Sequence, residues 1–421
     1  MRDDVVVIGL GYVGLPLALK LAQFCDVIGF DVSIDRVKEL SNGEDRTQVA
    51  RKDKLLTSSL HLTSDVNKIS DRSIYIVAVP TPVDRENKPD LSALRTACKI
   101  IGPALKKNAI VVFESTVYPG VTETVCKLEL EMASGLICGD DFFLGYSPER
   151  INPGDSVHSI EKITKIVAGQ TPAVSKKLAK LYGTINDNNI FVARDIRTAE
   201  AAKVIENAQR DINIAFVNEI SMICNKIGLS TSDVLAAAKT KWNFLDFTPG
   251  LVGGHCIGVD PYYLAHLSEK IGHHPKVILA GRRLNDEMAN FVAEQIHGKL
   301  RFKSSKILLL GLTFKAGVPD LRNSGSAELF KILKLKGHNV DVYDPLASPT
   351  EAKKVYNIKL LKNLEKIGPY NCIIGSVPHD TFESLTGKIL LSLSSHMGLI
   401  ADLSGMWRKI KLPNTICRWE L

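Results

Sequence analysis

From Asp195 to Ile227 the chain runs for 33 residues without a glycine or a proline. Asp195 is suited to cap the start of a helix there and Gly228 to end it. At 1.5 Å of rise per residue such a helix is ~50 Å long, more than the radius of one domain. The stretch therefore predicts a connector between two domains, and also the seam of a homodimer. A second helical pattern, Pro275 to Arg301, is expected to pack nearby. The total of 421 residues agrees, since a single core rarely grows past ~250–300 residues.

Before the long helix, short apolar runs alternate with helical patterns. Val5 to Ile8, Val27 to Phe30, Ile74 to Val79 and Ile110 to Phe113 read as strands, and Tyr12 to Phe24 as a helix. Continuous β-branched runs belong to a parallel sheet covered on both faces, and strand–helix alternation to a doubly wound α/β domain. The last third echoes the first. Lys306 to Leu312 resembles Val5 to Leu10, Asn339 to Asp344 resembles Val27 to Asp31, and Ile373 to Pro378 resembles Ile76 to Pro80. Three matches in one order predict a second, similar half; unrelated α/β units sharing common strand vocabulary are the alternative. The expected fold is α/β, two Rossmann-like doubly wound domains joined by a long central helix, divided as 1–194, 195–303 and 304–421.

Composition narrows the function. A formal charge of +7 mildly favours anionic ligands, but no dense Lys/Arg run interleaved with aromatics is present, which argues against nucleic acid. No targeting segment is visible and no apolar run reaches the ~20 residues that span a bilayer, so a cytoplasmic protein without a membrane partner is expected. Eight cysteines are scattered with no C-x-x-C pair, which excludes a cysteine metal cluster and a disulfide framework. No metal is expected.

Gly9-Leu10-Gly11-Tyr12-Val13-Gly14 follows a strand and opens a helix. The first glycine permits a tight turn, the second lets backbone approach a pyrophosphate, and the third lets helix and strand pack closely. The helix start offers free N–H groups to the phosphates. Asp31, 22 residues after Gly9, stands where a carboxylate accepts hydrogen bonds from the adenosine ribose and would repel a 2′-phosphate. NAD is therefore the expected cofactor. Arg36 is the residue that would accommodate such a phosphate, unless it is simply a solvated helix residue. Thr81 in Val79-Pro80-Thr81-Pro82 and Thr116 in Glu114-Ser115-Thr116-Val117 lie after strands, where ligands bind in open α/β sheets; both also suit turns or caps.

Pro249 to Asp260 carries four glycines in nine residues, at 250, 253, 254 and 258. It reads as a loop whose backbone makes close approaches, followed by a helix near Asp260. A thiol near a helix start gains thiolate character, which singles out Cys256; His255 beside it is the less favoured base, because sequence neighbours point apart. The other seven cysteines read as small buried hydrophobes. On the long helix Lys203, Asn207 and Arg210 share one face, either as a solvated stripe or aimed at a ligand. Lys203 and Asn207 would stabilise an oxyanion. A thiol has a purpose in a dehydrogenase that goes on from aldehyde to acid, because its adduct is what the second hydride leaves. Cys256 is then the nucleophile and Asp260 the base that orients water.

Together these segments resemble the UDP-glucose/GDP-mannose dehydrogenase family over nearly the whole chain. Gly9 to Pro16, Val79 to Pro82, Glu114 to Val117, Tyr146-Ser147-Pro148-Glu149-Arg150, Glu200 to Lys203 with Glu206-Asn207, Gly253 to Asp260, and Phe314-Lys315 through Asp320-Leu321-Arg322 all match. The resemblance implies an NAD domain, a central dimerising helix, a C-terminal domain for the UDP moiety, and a four-electron oxidation at C6. It carries Cys256 over as nucleophile, Lys203, Asn207 and Asp260 as polar catalytic groups, and Thr116 and Glu149 as handlers of water and protons. It also implies that Lys315 and Arg322 reach substrate or cofactor. Thr116 and Arg322 then join Gly9, Gly11, Tyr12, Val13, Gly14, Asp31, Arg36 and Thr81 at the cofactor. Glu149, Arg150, Lys203, Asn207, Arg210, Gly250, Gly253 and Lys315 are expected at the substrate.

Two departures refine the substrate. Val259 stands where UDP-glucose enzymes of the family usually carry Lys, and Arg150-Ile151-Asn152-Pro153 where they have Phe-Leu-Arg-Glu. The run from Ser147 to Gly154 is similar to the branch acting on UDP-N-acetylhexosamines, as are Gly250 to Cys256 and Lys241 to Leu245. UDP-N-acetylglucosamine or its C4 epimer is the expected substrate, and a uronic acid for surface polysaccharide the product. UDP-glucose and UDP-N-acetylmannosamine are the alternatives. A two-electron hydroxyacid-type dehydrogenase, needing no thiol, and a non-enzymatic NAD-binding regulator are the competing classes.

Overall fold

The computed structural model of the chain describes residues 3–150, 161–254, 257–365 and 367–421. They form two compact units, Met1–Glu206 with Tyr262–His274 and Asn207–Pro261 with Pro275–Leu421.

In the first unit, β1 (Asp4–Ile8), β2 (Asp26–Phe30), β3 (His61–Thr63), β4 (Ile74–Val77), β5 (Ala109–Phe113), β6 (Phe142–Tyr146), β7 (Lys165–Gly169) and β8 (Ile190–Val192) build one sheet. Its order is β3-β2-β1-β4-β5-β6-β7-β8. The four strands expected from sequence are β1, β2, β4 and β5. Val5, Val6, Val7 and all of β4 are fully buried; strands covered on both faces have no polar side to show, so they read as unbroken apolar runs. β4 stops at Val77, two residues earlier than expected, because the backbone leaves the ladder once Ala78 has donated to the Ile8 carbonyl (2.9 Å). Not anticipated is the antiparallel pairing of β6 with β7. The first helix, Gly14–Leu21, is shorter than the Tyr12 to Phe24 expected, since Tyr12 and Val13 remain in the turn; it buries Leu15, Leu17, Ala18 and Leu21 against Val5, Val7 and Val27.

In the second unit, β9 (Lys306–Leu310), β10 (Asn339–Tyr343), β11 (Tyr370–Gly375), β12 (Ser394–Asp402) and β13 (Cys417–Glu420) form a parallel sheet in the order β10-β9-β11-β12-β13. Helix Lys276–Lys299 lays Met288, Val292 and Ile296 on one face, beside Leu329 and Leu333 of helix Gly325–Leu335. Phe382, Leu390 and Trp407 cover the other face. Each fully buried side chain of this kind contributes about 2 kcal/mol.

The two sheets repeat one construction. Gly9 and Gly311, each following the first strand, have φ of +93° and +97°. Each donates its N–H to the last carbonyl of the second strand, Gly9 to Phe30 (2.8 Å) and Gly311 to Tyr343 (3.0 Å). A carboxylate stands next in chain after that strand in both, Asp31 accepting from Leu10 N and Asp344 from Leu312 N. The sequence echo is thus a structural repeat. The halves diverge after the turn. In the first the helix starts at Gly14, in the second only at Gly325, and residues 312–324 between carry Lys315 and Arg322.

The long helix is Ile196–Ile227, 32 residues. Asp195 Oδ1 accepts from Thr198 N at 2.7 Å, and Gly228 (φ +74°) ends it, as the sequence predicts. It passes from one unit into the other between Glu206 and Asn207. No helix among the described residues is long and apolar enough to cross a membrane.

Asp344 is a heavily used carboxylate of the second unit. It accepts from the backbone N–H of Leu312 (2.6 Å), Thr313 (2.9 Å), Leu346 (2.8 Å) and Ala347 (2.9 Å) and pairs with His379 Nε2 at 3.1 Å. Gly317 donates to His379 Nδ1 (3.2 Å), so that ring donates from Nε2. Burial pushes the Asp344 carboxyl up, but His379 and the backbone donors outweigh it and hold it well below the usual carboxylate range. Its stabilisation is therefore complete above the ordinary aspartate pKa and is lost as pH falls through the depressed one. Asp344→Asn, which turns an NH2 toward backbone donors, should cost about 3 kcal/mol in urea unfolding at pH 7, and the difference from wild type should shrink below about pH 4.

Candidate active site

The glycine turn shows why each glycine is there. Besides its positive φ, Gly9 has no room for a side chain, since a Cβ would lie 2.8 Å from the Ala78 carbonyl oxygen. At Gly14 a Cβ would lie 1.9 Å from the Gly9 carbonyl oxygen, so the helix can approach the turn only without one. Around Gly11 a Cβ meets nothing within 4 Å; no protein contact requires that glycine. Half-buried Tyr12 and Val13 complete the turn. The start of helix Gly14–Leu21 has no capping side chain and no acid in its first turn, leaving its positive end to an anion. Those features fit the pyrophosphate of a dinucleotide.

Asp31 accepts from Leu10 N and Ser33 N, both at 2.9 Å, and a carboxylate with about four acceptor sites has capacity left for ribose hydroxyls. Arg36 is not the solvated helix residue weighed above. It is 6% exposed. Its Nε donates to the Leu10 carbonyl (2.9 Å), and its other nitrogens bind Glu39 (2.7 Å), Asp45 (2.8 Å) and Thr47 (3.3 Å). The guanidinium braces the glycine turn, and two carboxylates already neutralise it, which disfavours a 2′-phosphate there.

Two further loops follow at the carboxyl ends of β4 and β5. Thr81 is half-buried, and its carbonyl accepts from the Tyr263 hydroxyl (3.0 Å). Thr116 is half-buried in a loop pinned at both ends: Ser115 Oγ donates to the Val79 carbonyl (2.6 Å), and Glu200 accepts from Gly120 N and Thr122 N (3.0 Å). Glu200, three residues before Lys203, is fully buried, and burial pushes its carboxyl up to about 7 despite those donors. Its role as the clasp between the threonine loop and the long helix was not read from sequence; a glutamate on the buried face of an apolar helix was the available signal. Glu149 is 13% exposed and 3.7 Å from Lys165, while Arg150 pairs with Glu206 (3.0 Å) and donates to the Thr164 carbonyl (3.0 Å).

On the long helix Lys203 and Asn207 are buried, at 8% and 5% exposure. No carboxylate pairs with Lys203 among the described residues. Arg210 is exposed. The buried polar line continues through Asp211, Asn218 and Ser221, and Arg210 falls at its solvent edge. Asn207 Nδ2 donates to Asp260 Oδ2 at 2.5 Å, with Asp260 2% exposed. Asp211 accepts from Arg282 and Asn285 (2.8 Å), and Asn285 Oδ1 accepts from Asn218 (2.8 Å). Asn218 in turn holds Gly250 by both its N–H (2.8 Å) and its carbonyl (3.1 Å). The glycine loop is thus tied to the helix at both ends. Nothing in sequence joined these asparagines to it, because the partners are separated by 32 and 67 residues.

The close approaches predicted for the loop are made to protein. A Cβ at Gly253 would lie 2.6 Å from the Asn323 carbonyl oxygen, and at Gly254 (φ +87°) 2.7 Å from the Phe314 ring. Gly250 has open space at the same position. His255 and Cys256 lie outside the described residues. Of the other cysteines six are buried and Cys417 is exposed, none in a disulfide; burial pushes the Cys138 thiol up to about 11. Lys315 is half-buried, its carbonyl accepting from Thr313 Oγ1 (3.1 Å), and Arg322 forks onto Asp320.

Three family models match in order: the NAD binding domain of the UDP-glucose/GDP-mannose dehydrogenase family over residues 3–186, its central domain over 197–287 and its UDP binding domain over 308–409. The chain belongs to the UDP-glucose/GDP-mannose dehydrogenase family. Among its relatives, "Protein CapL" of Staphylococcus aureus is 45% identical over 426 residues, covering 100% of both chains. "UDP-N-acetyl-D-glucosamine 6-dehydrogenase" of Pseudomonas aeruginosa is 45% identical over 410 residues, covering 96% of this chain and 97% of its own. Among solved structures, a UDP-D-ManNAc dehydrogenase from Pyrococcus horikoshii superposes with a TM-score of 0.88 at 28% identity, covering 99% of this chain and 98% of that one. The glycine turn is that of the family's NAD binding domain, and NAD is the cofactor.

Because Gly11 has open space where Gly14 has a carbonyl, the two should respond oppositely. Gly11→Val is expected to weaken NAD binding at least tenfold by fluorescence titration with little change in melting temperature. Gly14→Ala is expected to lower the melting temperature by several degrees.

Proposed function

We propose that this protein oxidises the C6 hydroxyl of a UDP-N-acetylhexosamine to the carboxylate, in two steps, with UDP-N-acetylglucosamine or its C4 epimer as substrate. The observation that carries the reading is the buried hydrogen bond from Asn207 to Asp260 at 2.5 Å. Asp260 is four residues after Cys256, so the bond ties the start of the post-cysteine helix to the helix that carries Lys203 one turn earlier. Two relatives, 44% and 45% identical, are named for UDP-N-acetyl-D-glucosamine, which supports that sugar over UDP-glucose and UDP-N-acetylmannosamine. The relatives named for UDP-N-acetyl-D-glucosamine are 6-dehydrogenases, which disfavours the competing regulator and hydroxyacid classes.

NAD, when bound, accepts one hydride at each of the two oxidations. Cys256 adds as thiolate to the aldehyde carbon of the intermediate, retaining it as a thiohemiacetal. Lys203 and Asn207 donate to the oxygen on which negative charge develops. After the second oxidation the carbon is a thioester. Asp260, Glu149 and Thr116 hold and deprotonate the water that cleaves it, returning the thiol and releasing the acid. Arg150, Arg210, Gly250, Gly253 and Lys315 are assigned to the substrate, Thr81 and Arg322 to the cofactor. The division 1–194, 195–303 and 304–421 then corresponds to NAD binding, dimerisation with the cysteine loop, and UDP binding. A cytoplasmic location fits substrates drawn from soluble nucleotide pools, and surface polysaccharide is the destination of the uronic acid.

A homodimer through the long helix belongs to the same reading. Ile205, Phe216, Ile223 and Ile227 are 49–64% exposed and fall on one side of that helix, opposite the buried polar line. A run of large apolar side chains on a helix that long marks an interface.

Two outcomes test the chemistry. Each UDP-sugar should yield two NADH by absorbance, and Cys256→Ser should abolish formation of the acid. One NADH per sugar, with undiminished turnover in Cys256→Ser, would leave a two-electron dehydrogenase. For the assembly, light scattering should give twice the chain mass for wild type and the single mass for Phe216→Glu/Ile223→Glu.

A further inference from the structure

At one end of the first sheet Glu149 meets two further charged side chains, Glu114 and Lys165. Glu114 follows β5, Glu149 lies three residues past β6, and Lys165 opens β7. A lysine at the start of a strand reaches the carboxyl end of its neighbours only if that strand runs against them, as β7 does against β6. Lys165 Nζ donates to Glu114 Oε2 (2.8 Å) and the Pro148 carbonyl (3.3 Å), and lies 3.7 Å from Glu149 Oε2. Tyr182, near the end of helix Pro172–Gly183, donates its hydroxyl to Glu114 Oε1 (2.5 Å), and Lys165 Nζ sits 5.2 Å from its ring centre. The side chains of Lys165 and Glu114 are 4% and 0% exposed.

We propose that Lys165 is a positioning residue for Glu149, holding its carboxylate at the carboxyl end of the sheet, and that Glu114 is the buried counter-charge that keeps the lysine in place. A pair that only stapled β5 to β7 would need one carboxylate, and unpaired buried charge is costly. Here two carboxylates share one ammonium, and the second is Glu149. Burial raises the Glu114 carboxyl, and Lys165 offsets this only in part. Burial would lower the Lys165 ammonium, but Glu114 and Glu149 hold it above the ordinary lysine range. The Tyr182 phenol is raised by burial and by Glu114, so it stays a donor. Arg150 reaches Glu149 Oε1 through its backbone N–H (2.7 Å), its guanidinium being turned to Glu206. Two carboxylates thus face one ammonium at the carboxyl end of the sheet, Glu114 fully buried and Glu149 on the side that reaches solvent.

The inference rests on the reading above in which Glu149 handles water and protons. The test is the pH dependence of kcat/KM for NAD-linked oxidation by the intact protein. Lys165→Met leaves two carboxylates facing each other, and the acidic limb should move up by about one pH unit or more. Glu114→Gln leaves the ammonium to Glu149 alone, and the same limb should move down by a similar amount. Opposite displacements at unchanged KM for NAD support the proposal. Limbs that stay put, or move together while rate or melting temperature falls, overturn it in favour of a strand staple. Should Lys165→Met not fold, the near-isosteric Glu114→Gln decides alone, an unmoved limb overturning the proposal. Glu149→Gln separates the two readings: wild-type turnover in that variant removes Glu149 from the reaction and overturns the assigned role, not the ion cluster.

Discussion

A carboxylate after the second strand holds the turn that follows the first, and it does so in both sheets. Asp31 accepts from Leu10 N and Asp344 from Leu312 N. In each turn a glycine at positive φ reverses the chain, and the carboxylate takes up a backbone donor that the reversal leaves without a ladder partner. The strand order around both turns places them at the switch points, where ligands bind in open α/β sheets. What differs is the covering. In the first unit Arg36 backs the turn and the helix follows at once, leaving its start to a pyrophosphate. In the second, His379 backs it and residues 312–324 intervene, so the same frame presents Lys315 and Arg322 instead.

The long helix carries two faces with opposite duties. Its inward line, Lys203, Asn207, Asp211, Asn218 and Ser221, is polar and buried, a combination that is stable only when partners are supplied. Asp260, Arg282, Asn285 and Gly250 supply them for three of these residues. One result is that the glycine loop is tied down on both sides of the cysteine. The opposite face, with Phe216 and Ile223, is apolar and exposed.

Much of this was legible in the chain. The glycine turn, Asp31, the length and both ends of the long helix, the echo between the two halves and the helix after the cysteine loop all rest on local rules. Those rules are periodicity, φ and capping, which act over a few residues. Other features were not legible because their partners are far apart in sequence. Arg36 reads as a surface helix residue until Asp45 and the Leu10 carbonyl fold onto it. Gly253 and Gly254 read as close-approach glycines until Asn323 and Phe314 arrive to name what they approach. The short strands β3 and β8 carry too few residues for a pattern, and the antiparallel turn of β7 leaves no mark in composition.

By itself the sequence determined the fold class, the dinucleotide turn and the identity of the chemically able residues, because each depends on side-chain type and short spacing. Only the tertiary structure decided which of those residues are buried, and against what. Burial and charge pairing are properties of distant segments brought together. They tie Asn207 to Asp260, turn Arg36 inward, leave Arg210 at the surface, and bring Lys165 from an antiparallel strand to stand between Glu114 and Glu149.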